Sequence, residues 1–320
     1  MLDFHRVFAG ATVPARMLSS FLLAVFAGIA TPDAQAAPAE FAGSSPEIVR
    51  ESVYNYLIIS RKDSVVRFRR MENGATVSAI DVSHPKRQVI PYTATLFAAA
   101  LVKREPRVVL NIGLGAGAFN RLFEPTFTSA KLTTVEIDSM ILEVAEAFTA
   151  FRQDERNQVV LNDGRRYLLR SQEKWDWIVL DAYIRNSQVP PHLTTLEFYQ
   201  LVKTHLRDDG VFVVNLHYGN ALYQSHLKTL RTAFPQVALL GVPGTGNIIV
   251  MAVKYRQPEL MRQIAGADLD LLPNLAEWGV DFAAMKKAPR TADEVALPRG
   301  VKILTDEFAP VEFLDVKPMQ

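Results

Sequence analysis

Three carboxylates and one glycine loop fall at intervals that suit work on a nucleoside. The loop is Gly113-Leu114-Gly115-Ala116-Gly117, at the end of an apolar, β-branched run from Val108 to Ile112. Glycines there let the backbone turn sharply and approach a ligand with no Cβ in the way. Glu136 follows Gly113 by 23 residues and closes a second apolar run. An acid at that distance can accept hydrogen bonds from both hydroxyls of a ribose. Asp163-Gly164 closes a third run, and its carboxylate can accept from an exocyclic amine such as that of adenine. Asp181 closes a fourth, Trp177-Ile178-Val179-Leu180, and can take a proton from an attacking amine or hold a cation. Each has a plainer reading: an ordinary βα turn with a surface acid, a turn-forming Asp-Gly, a cap on the next helix. Their recurrence at successive run ends favours a site.

Such residues need a scaffold that gathers strand ends. Strand patterns occupy 54–60, 64–69 and 76–82, with a turn signal at Asn73-Gly74, and indicate a small antiparallel sheet. An alanine-rich helix is expected over 93–103, ending before Pro106. From Val108 onward strands and helices alternate: helices over 139–151, 165–171, 195–205 and 221–234, and strands over 158–161, 177–180, 210–215, 237–240 and 248–253. Alternating βα units make a mainly parallel sheet with helices on both faces. The last two strands, joined across Gly241 to Gly246, make one edge antiparallel. The fold class is therefore α/β: a class I methyltransferase-like (Rossmann-like) seven-stranded sheet preceded by a small antiparallel β domain. The expected organisation is a signal peptide at 1–36, an N-terminal β domain at 37–92, a nucleoside-binding domain at 93–255, and helices with a tail at 256–320.

Composition narrows the chemistry. The 320 residues are 49% apolar and 22% charged, as in a folded globular chain. A net charge of +1 gives no bulk attraction to nucleic acid or anionic lipid. The absence of cysteine excludes disulfides, thiolate catalysis and cysteine-bound metals. The six histidines show no close metal spacing, so no metal site is expected. Arg6 and Arg16, the apolar run Met17 to Ala30, and Ala34-Gln35-Ala36 follow the pattern of a cleaved export signal. The expected mature chain starts near Ala37 and is exported, to the periplasm; an uncleaved membrane anchor is the alternative, although the run is short for a span. Trp175 and Trp177 read as packing residues, His192 as a solvated loop histidine, and Arg165-Arg166 as a solvated helix start.

Taken together, these motifs resemble the spermidine synthase family of aminopropyltransferases, in particular its noncanonical spermidine synthase-like members. Glu51-Ser52-Val53-Tyr54-Asn55-Tyr56 is similar to the family's opening strand. The glycine loop, Glu136-Ile137-Asp138, Asp163-Gly164, the segment from Trp175 to Asp181, Leu193 and Glu197-Phe198-Tyr199 follow in the family's order over residues 50 to 255. The tail from Leu304 to Glu312 resembles a closing segment of the noncanonical members.

The resemblance implies aminopropyl transfer from decarboxylated S-adenosylmethionine to an amine acceptor, with release of methylthioadenosine. Gly113, Gly115 and Gly117 would hold the donor's aliphatic end, Glu136 its ribose, and Asp163 with Gly164 its adenine. Asp181 matches the catalytic carboxylate that deprotonates the amine, and Tyr92 is the surviving member of a Tyr-His-Glu segment. No cofactor is bound permanently; the co-substrate is decarboxylated S-adenosylmethionine or S-adenosylmethionine itself. Homodimerisation stays open. The departures cluster. Ala116 and Ile184 stand where the family has acids, Asn73-Gly74-Ala75-Thr76-Val77-Ser78 stands for Asp-Gly-x-x-Gln-Ser, and Tyr92-Thr93-Ala94 stands for Tyr-His-Glu. Burying a dicationic diamine without partners is costly, so the second substrate is expected not to be a simple diamine. Two other functions remain: an S-adenosylmethionine-dependent methyltransferase, and an exported noncatalytic binding protein on the same scaffold.

Overall fold

The computed structural model describes residues 47–71, 74, 76–84, 86–183, 189–268 and 278–308. The export segment 1–36, Asn73, Ala75, Ile184 and the tail residues 309–312 lie outside the described residues.

Trp175–Leu180 is buried at every position. A strand apolar on both faces needs cover on both sides, which places it centrally in a sheet. It forms β8, between β5 (Val108–Ile112) and β9 (Leu206–His217). β6 (Lys131–Glu136) and β7 (Asn157–Leu161) continue the parallel set beyond β5. Beyond β9 lie β11 (Asn247–Val253), β10 (Gln236–Gly241) and β12 (Arg290–Thr291), each antiparallel to its neighbour. The order is β12-β10-β11-β9-β8-β5-β6-β7. The seven expected strands are β5 to β11. β12 is an added two-residue edge, too short to leave a periodic signal in sequence.

A separate four-stranded antiparallel sheet runs in chain order: β1 (Glu47–Glu51), β2 (Tyr56–Lys62), β3 (Val65–Arg70) and β4 (Thr76–Asp81). β1 precedes the three strands expected from sequence. It alternates only between exposed and half-buried residues, so its pattern is faint. The helix expected over 93–103 is one α turn, Tyr92–Thr95, followed by a 3-10 segment, Leu96–Leu101. All six residues of that segment are buried against the main sheet. Packing on every side, rather than alanine's helical preference, sets their winding.

The inner face of the small sheet carries Leu57, Ile59, Val66, Phe68 and Ile80. These pack on Met140, Ile141, Val144 and Phe148 of the helix Ser139–Phe148, and on Leu114 and Ala116 of the glycine loop. Each fully buried side chain of this size contributes about 1.5–3 kcal/mol. The same contact seats the small sheet over the carboxyl ends of the parallel strands. β5 leads outward to β6 and β7, and the chain then returns to β8 on the other side of β5. The crevice at such a reversal is where open α/β sheets bind ligands.

Candidate active site

A cavity of about 290 Å³ opens at this reversal, between the small sheet and the ends of β5, β6, β7 and β8. Tyr92, Gly113, Gly115, Glu136, Asp163, Gly164 and Asp181 all line it. Gly117 does another job. It starts the helix Ala118–Thr126 at φ 79°, and a Cβ there would stand 2.8 Å from Phe151 Cδ2. Gly164 faces the cavity but is required by packing, since its Cβ would meet Ile112 Cγ2 at 2.6 Å.

Glu136 fixes the glycine loop before any ligand arrives. Its Oε2 accepts from Leu114 N–H at 2.9 Å and its Oε1 from Asp138 N–H at 3.0 Å. Burial raises its pKa; the two backbone N–H groups work against that rise. Each carboxylate oxygen keeps a lone pair for a ribose hydroxyl. Ser78 of β4 accepts from Ala116 N–H at 2.9 Å and ties the small sheet to the same loop. A second tie comes from the turn between β1 and β2. Ser52 Oγ and Asn55 Nδ2 donate to Asp138 Oδ2 at 2.6 and 2.7 Å, and the other Asp138 oxygen caps the helix Ser139–Phe148 through Met140 N–H.

Asp163 is both a cap and a site residue. Its Oδ1 accepts from Arg166 N–H at 2.8 Å at the start of the helix Gly164–Arg170. Its Oδ2 lies 2.7 Å from His192 Nε2. Burial pushes its pKa up, but the His192 and Arg166 hydrogen bonds outweigh burial and hold it below the usual value. His192 is thus partnered rather than merely solvated. Arg165, expected at a solvated helix start, donates to Asp306 of the tail in a fork, with the Nη1 arm at 2.6 Å, and to the His192 carbonyl at 3.2 Å. Asp306 also accepts from Thr195 Oγ1 at 2.7 Å. This network joins the tail to Asp163 and His192, which line the cavity.

Asp181 sits where β8 ends, its N–H donating to the Ile112 carbonyl at 2.9 Å. It caps no helix among the described residues. Its Oδ1 is shut off from solvent and has no hydrogen-bond partner among the described residues. Burial alone raises its pKa to about 8. Tyr92 and Tyr183 stand beside it: burial first, then the Asp181 charge, drives both phenols above their ordinary range. Tyr183 donates to the Asn215 carbonyl at 3.0 Å. Arg70, at the end of β3, completes this end of the cavity.

Arg70, Tyr183, His192, Ser78 and Asn55 are site residues that motif spacing did not single out. Arg70 had a signal in the alternation of Val66, Phe68 and Arg70 on the buried face of β3.

The family model of the spermine/spermidine synthase domain matches residues 91–259, more than half of the chain. The chain belongs to the spermine/spermidine synthase family. A polyamine aminopropyltransferase of Vibrio vulnificus is 28% identical over 251 residues, covering 76% of this chain and 82% of the relative. A mouse eEF1A lysine and N-terminal methyltransferase is 29% identical over 170 residues, half of this chain but 24% of that protein. The solved spermidine synthase of Thermotoga maritima superposes with a TM-score of 0.54 at 19% identity, covering 82% of this chain and 81% of the other, and establishes the shared fold. Members of this family act on small amine acceptors with a donor related to S-adenosylmethionine. The methyltransferase-like α/β sheet with an antiparallel sheet before it is the architecture described above.

Proposed function

We propose that the chain is a spermidine synthase-like transferase that moves an aminopropyl group from decarboxylated S-adenosylmethionine to an amine. The observation that carries this reading is Asp181: a buried carboxyl with an unpartnered oxygen, raised to about 8, beside the glycine loop. A base of that strength is matched to taking a proton near neutral pH. The amine nitrogen attacks the carbon next to the sulfonium, the carbon–sulfur bond breaks, methylthioadenosine leaves, and Asp181 receives the amine proton. The leaving group is already activated, so alignment supplies most of the remaining catalysis. Glu136 takes the ribose. Asp163 takes the adenine amine, sharing its Oδ2 with His192. Ala116, in the glycine loop where the resemblance implies an acid, supports a second reading. No negative charge stands there to oppose a donor's carboxylate, which suits methyl transfer from intact S-adenosylmethionine.

Turnover separates the readings. Methylthioadenosine formed from the decarboxylated donor and an amine panel supports the first; adenosylhomocysteine formed from intact S-adenosylmethionine supports the second. Folded protein that yields neither is a binding protein on this scaffold. The proposal includes an exported mature chain starting near Ala37, so the donor must be supplied outside the cytoplasm. Intact mass of the protein from a membrane-enclosed bacterial host tests this, with cleavage after Ala36 expected and retention of residues 1–36 contradicting it.

A further inference from the structure

Two residues of the tail do different jobs. Leu304 anchors it. Its side chain is buried, its N–H donates to Thr229 Oγ1 at 2.9 Å, and its carbonyl accepts from Leu196 N–H at 2.8 Å. That last bond satisfies one of the free N–H groups at the start of the helix Leu196–His205. Asp306, two residues on, reaches away from the anchor. Its N–H donates to Glu197 Oε2 at 3.0 Å, and its Oδ1 accepts from Thr195 Oγ1 at 2.7 Å and from Arg165 Nη1 at 2.6 Å. The second arm of Arg165 donates to Oδ2. An exposed ion pair alone contributes little. Here a two-armed fork, a hydroxyl and a backbone bond fix Asp306 together, so its carboxylate holds the guanidinium in one place.

That place bears on His192. Arg165 Nη1 also donates to the His192 carbonyl at 3.2 Å. The turn Pro191–Leu193 is closed by Leu193 N–H on the Pro190 carbonyl at 2.9 Å and by Thr194 N–H on the Pro191 carbonyl at 3.0 Å. Held there, the His192 ring sets Nε2 2.7 Å from Asp163 Oδ2, while Asp163 Oδ1 accepts from Arg166 N–H. Both oxygens of this cavity-lining carboxylate are thus occupied by the protein itself, one by its helix cap and one by a half-exposed ring. An unbroken line of hydrogen bonds runs from Asp306 through Arg165 and His192 to Asp163.

We propose that Asp306 is a positioning residue for nucleobase recognition: through Arg165 it holds His192 on Asp163, as an internal competitor for the exocyclic amine of a bound adenine. The inference rests on the nucleoside-transfer reading above and adds to its adenine subsite a residue of the tail. Loosening the grip of Asp306 tightens binding of an adenine nucleoside, and only of one that carries the amine. A tail that merely braced the helices would act with the opposite sign, its loss weakening every ligand alike.

A double-mutant cycle tests this. Methylthioadenosine, and methylthioinosine, which lacks the amine, are titrated calorimetrically into the full mature chain, Asp306→Ala, His192→Ala and the double variant. Asp306→Ala is expected to bind methylthioadenosine at least threefold more tightly than the parent, and methylthioinosine within twofold of it. In the His192→Ala background the same substitution is expected to leave methylthioadenosine affinity within twofold. Arg165→Gln removes the link from its other end and is expected to reproduce the result. It carries the cycle if Asp306→Ala lacks a cooperative thermal transition. Unchanged or weaker methylthioadenosine binding by the folded variants overturns this proposal alone. So does an equal change for the two nucleosides, or a gain that persists in the His192→Ala background. Failure of methylthioadenosine to bind the parent and every variant overturns the nucleoside reading and this proposal with it.

Discussion

A Cβ added to Gly113 would lie 2.5 Å from the Asp181 carbonyl oxygen. The two residues follow paired positions of adjacent strands, Ile112 and Leu180, and the Asp181 N–H is bonded back to Ile112. Glycine loop and acid are therefore one rigid unit. Gly113 also holds φ 106°, open to few other residues. Gly113→Ala should cost about 1–3 kcal/mol from backbone strain alone, and more from the clash, and should abolish methylthioadenosine binding. Gly115→Ala meets Ser78 Oγ at 3.0 Å and Ser78 Cβ at 3.3 Å, with φ 55° in the left-handed region, but touches no backbone atom so closely and should lose less of both. Thermal unfolding and titration of the two variants give the comparison.

The Asp181 carboxyl makes stability depend on pH with a definite sign. Its pKa is about 8 folded against an ordinary 3.8. Between those values the unfolded chain releases the proton and the folded chain keeps it, so stability falls as pH rises. The slope is up to about 1.4 kcal/mol per pH unit, and it ends above the folded value. Asp181→Asn escapes this loss, so its stability relative to the parent should climb from pH 5 to pH 8 in urea titrations. The transfer rate of the parent should rise with pH through about 8 as the base ionises, and Asp181→Asn should lose on the order of a hundredfold in rate. A flat rate profile would remove Asp181 as the base.

Glu136 satisfies two buried N–H groups of its own protein. Glu136→Ala leaves both without an acceptor, at about 1–3 kcal/mol each, and should lower the unfolding midpoint while weakening nucleoside binding tenfold or more. Glu136→Gln keeps one acceptor oxygen and should fall between the two. Equal stability of Glu136→Ala and the parent in chemical denaturation would show that these bonds do not hold the loop.

The pair Asp163 and His192 bears on base selectivity. On the proposed reading an adenine amine would compete with His192 for Asp163 Oδ2, so His192→Ala should strengthen methylthioadenosine binding several-fold. Asp163→Ala should lose about 1 kcal/mol of stability with its helix cap and should bind methylthioadenosine and methylthioinosine equally, since the inosine form lacks the amine. Retained discrimination in Asp163→Ala would place adenine recognition elsewhere.

The chain advertises the part of its site that lies at strand ends. Gly113, Glu136, Asp163 and Asp181 each close an apolar run, and a parallel sheet brings such ends together whatever the intervening helices do. What stayed hidden depends on long-range pairing. The Arg165–Asp306 fork joins residues 141 apart, and nothing local marks either as more than a surface charge. His192 meets Asp163 across 29 residues for the same reason. Arg70 was recoverable from the two-residue alternation of β3, but a strand taken to end at residue 69 left it out. Gly117 shows the converse: its motif position suggested a ligand contact, whereas the close approach it permits is to Phe151. The extra edge β12 depends on a chain segment returning from beyond residue 255, and two residues carry no periodicity.

Nucleoside binding at the glycine loop is tested most directly by calorimetric titration of the mature chain with methylthioadenosine, run in parallel on Glu136→Ala. Saturable one-to-one binding by the parent is expected, with at least tenfold weaker binding by the variant. No binding to a parent chain with a cooperative unfolding transition would contradict it, and would leave the loop from Gly113 to Gly117 as a feature of the fold without a nucleoside to hold.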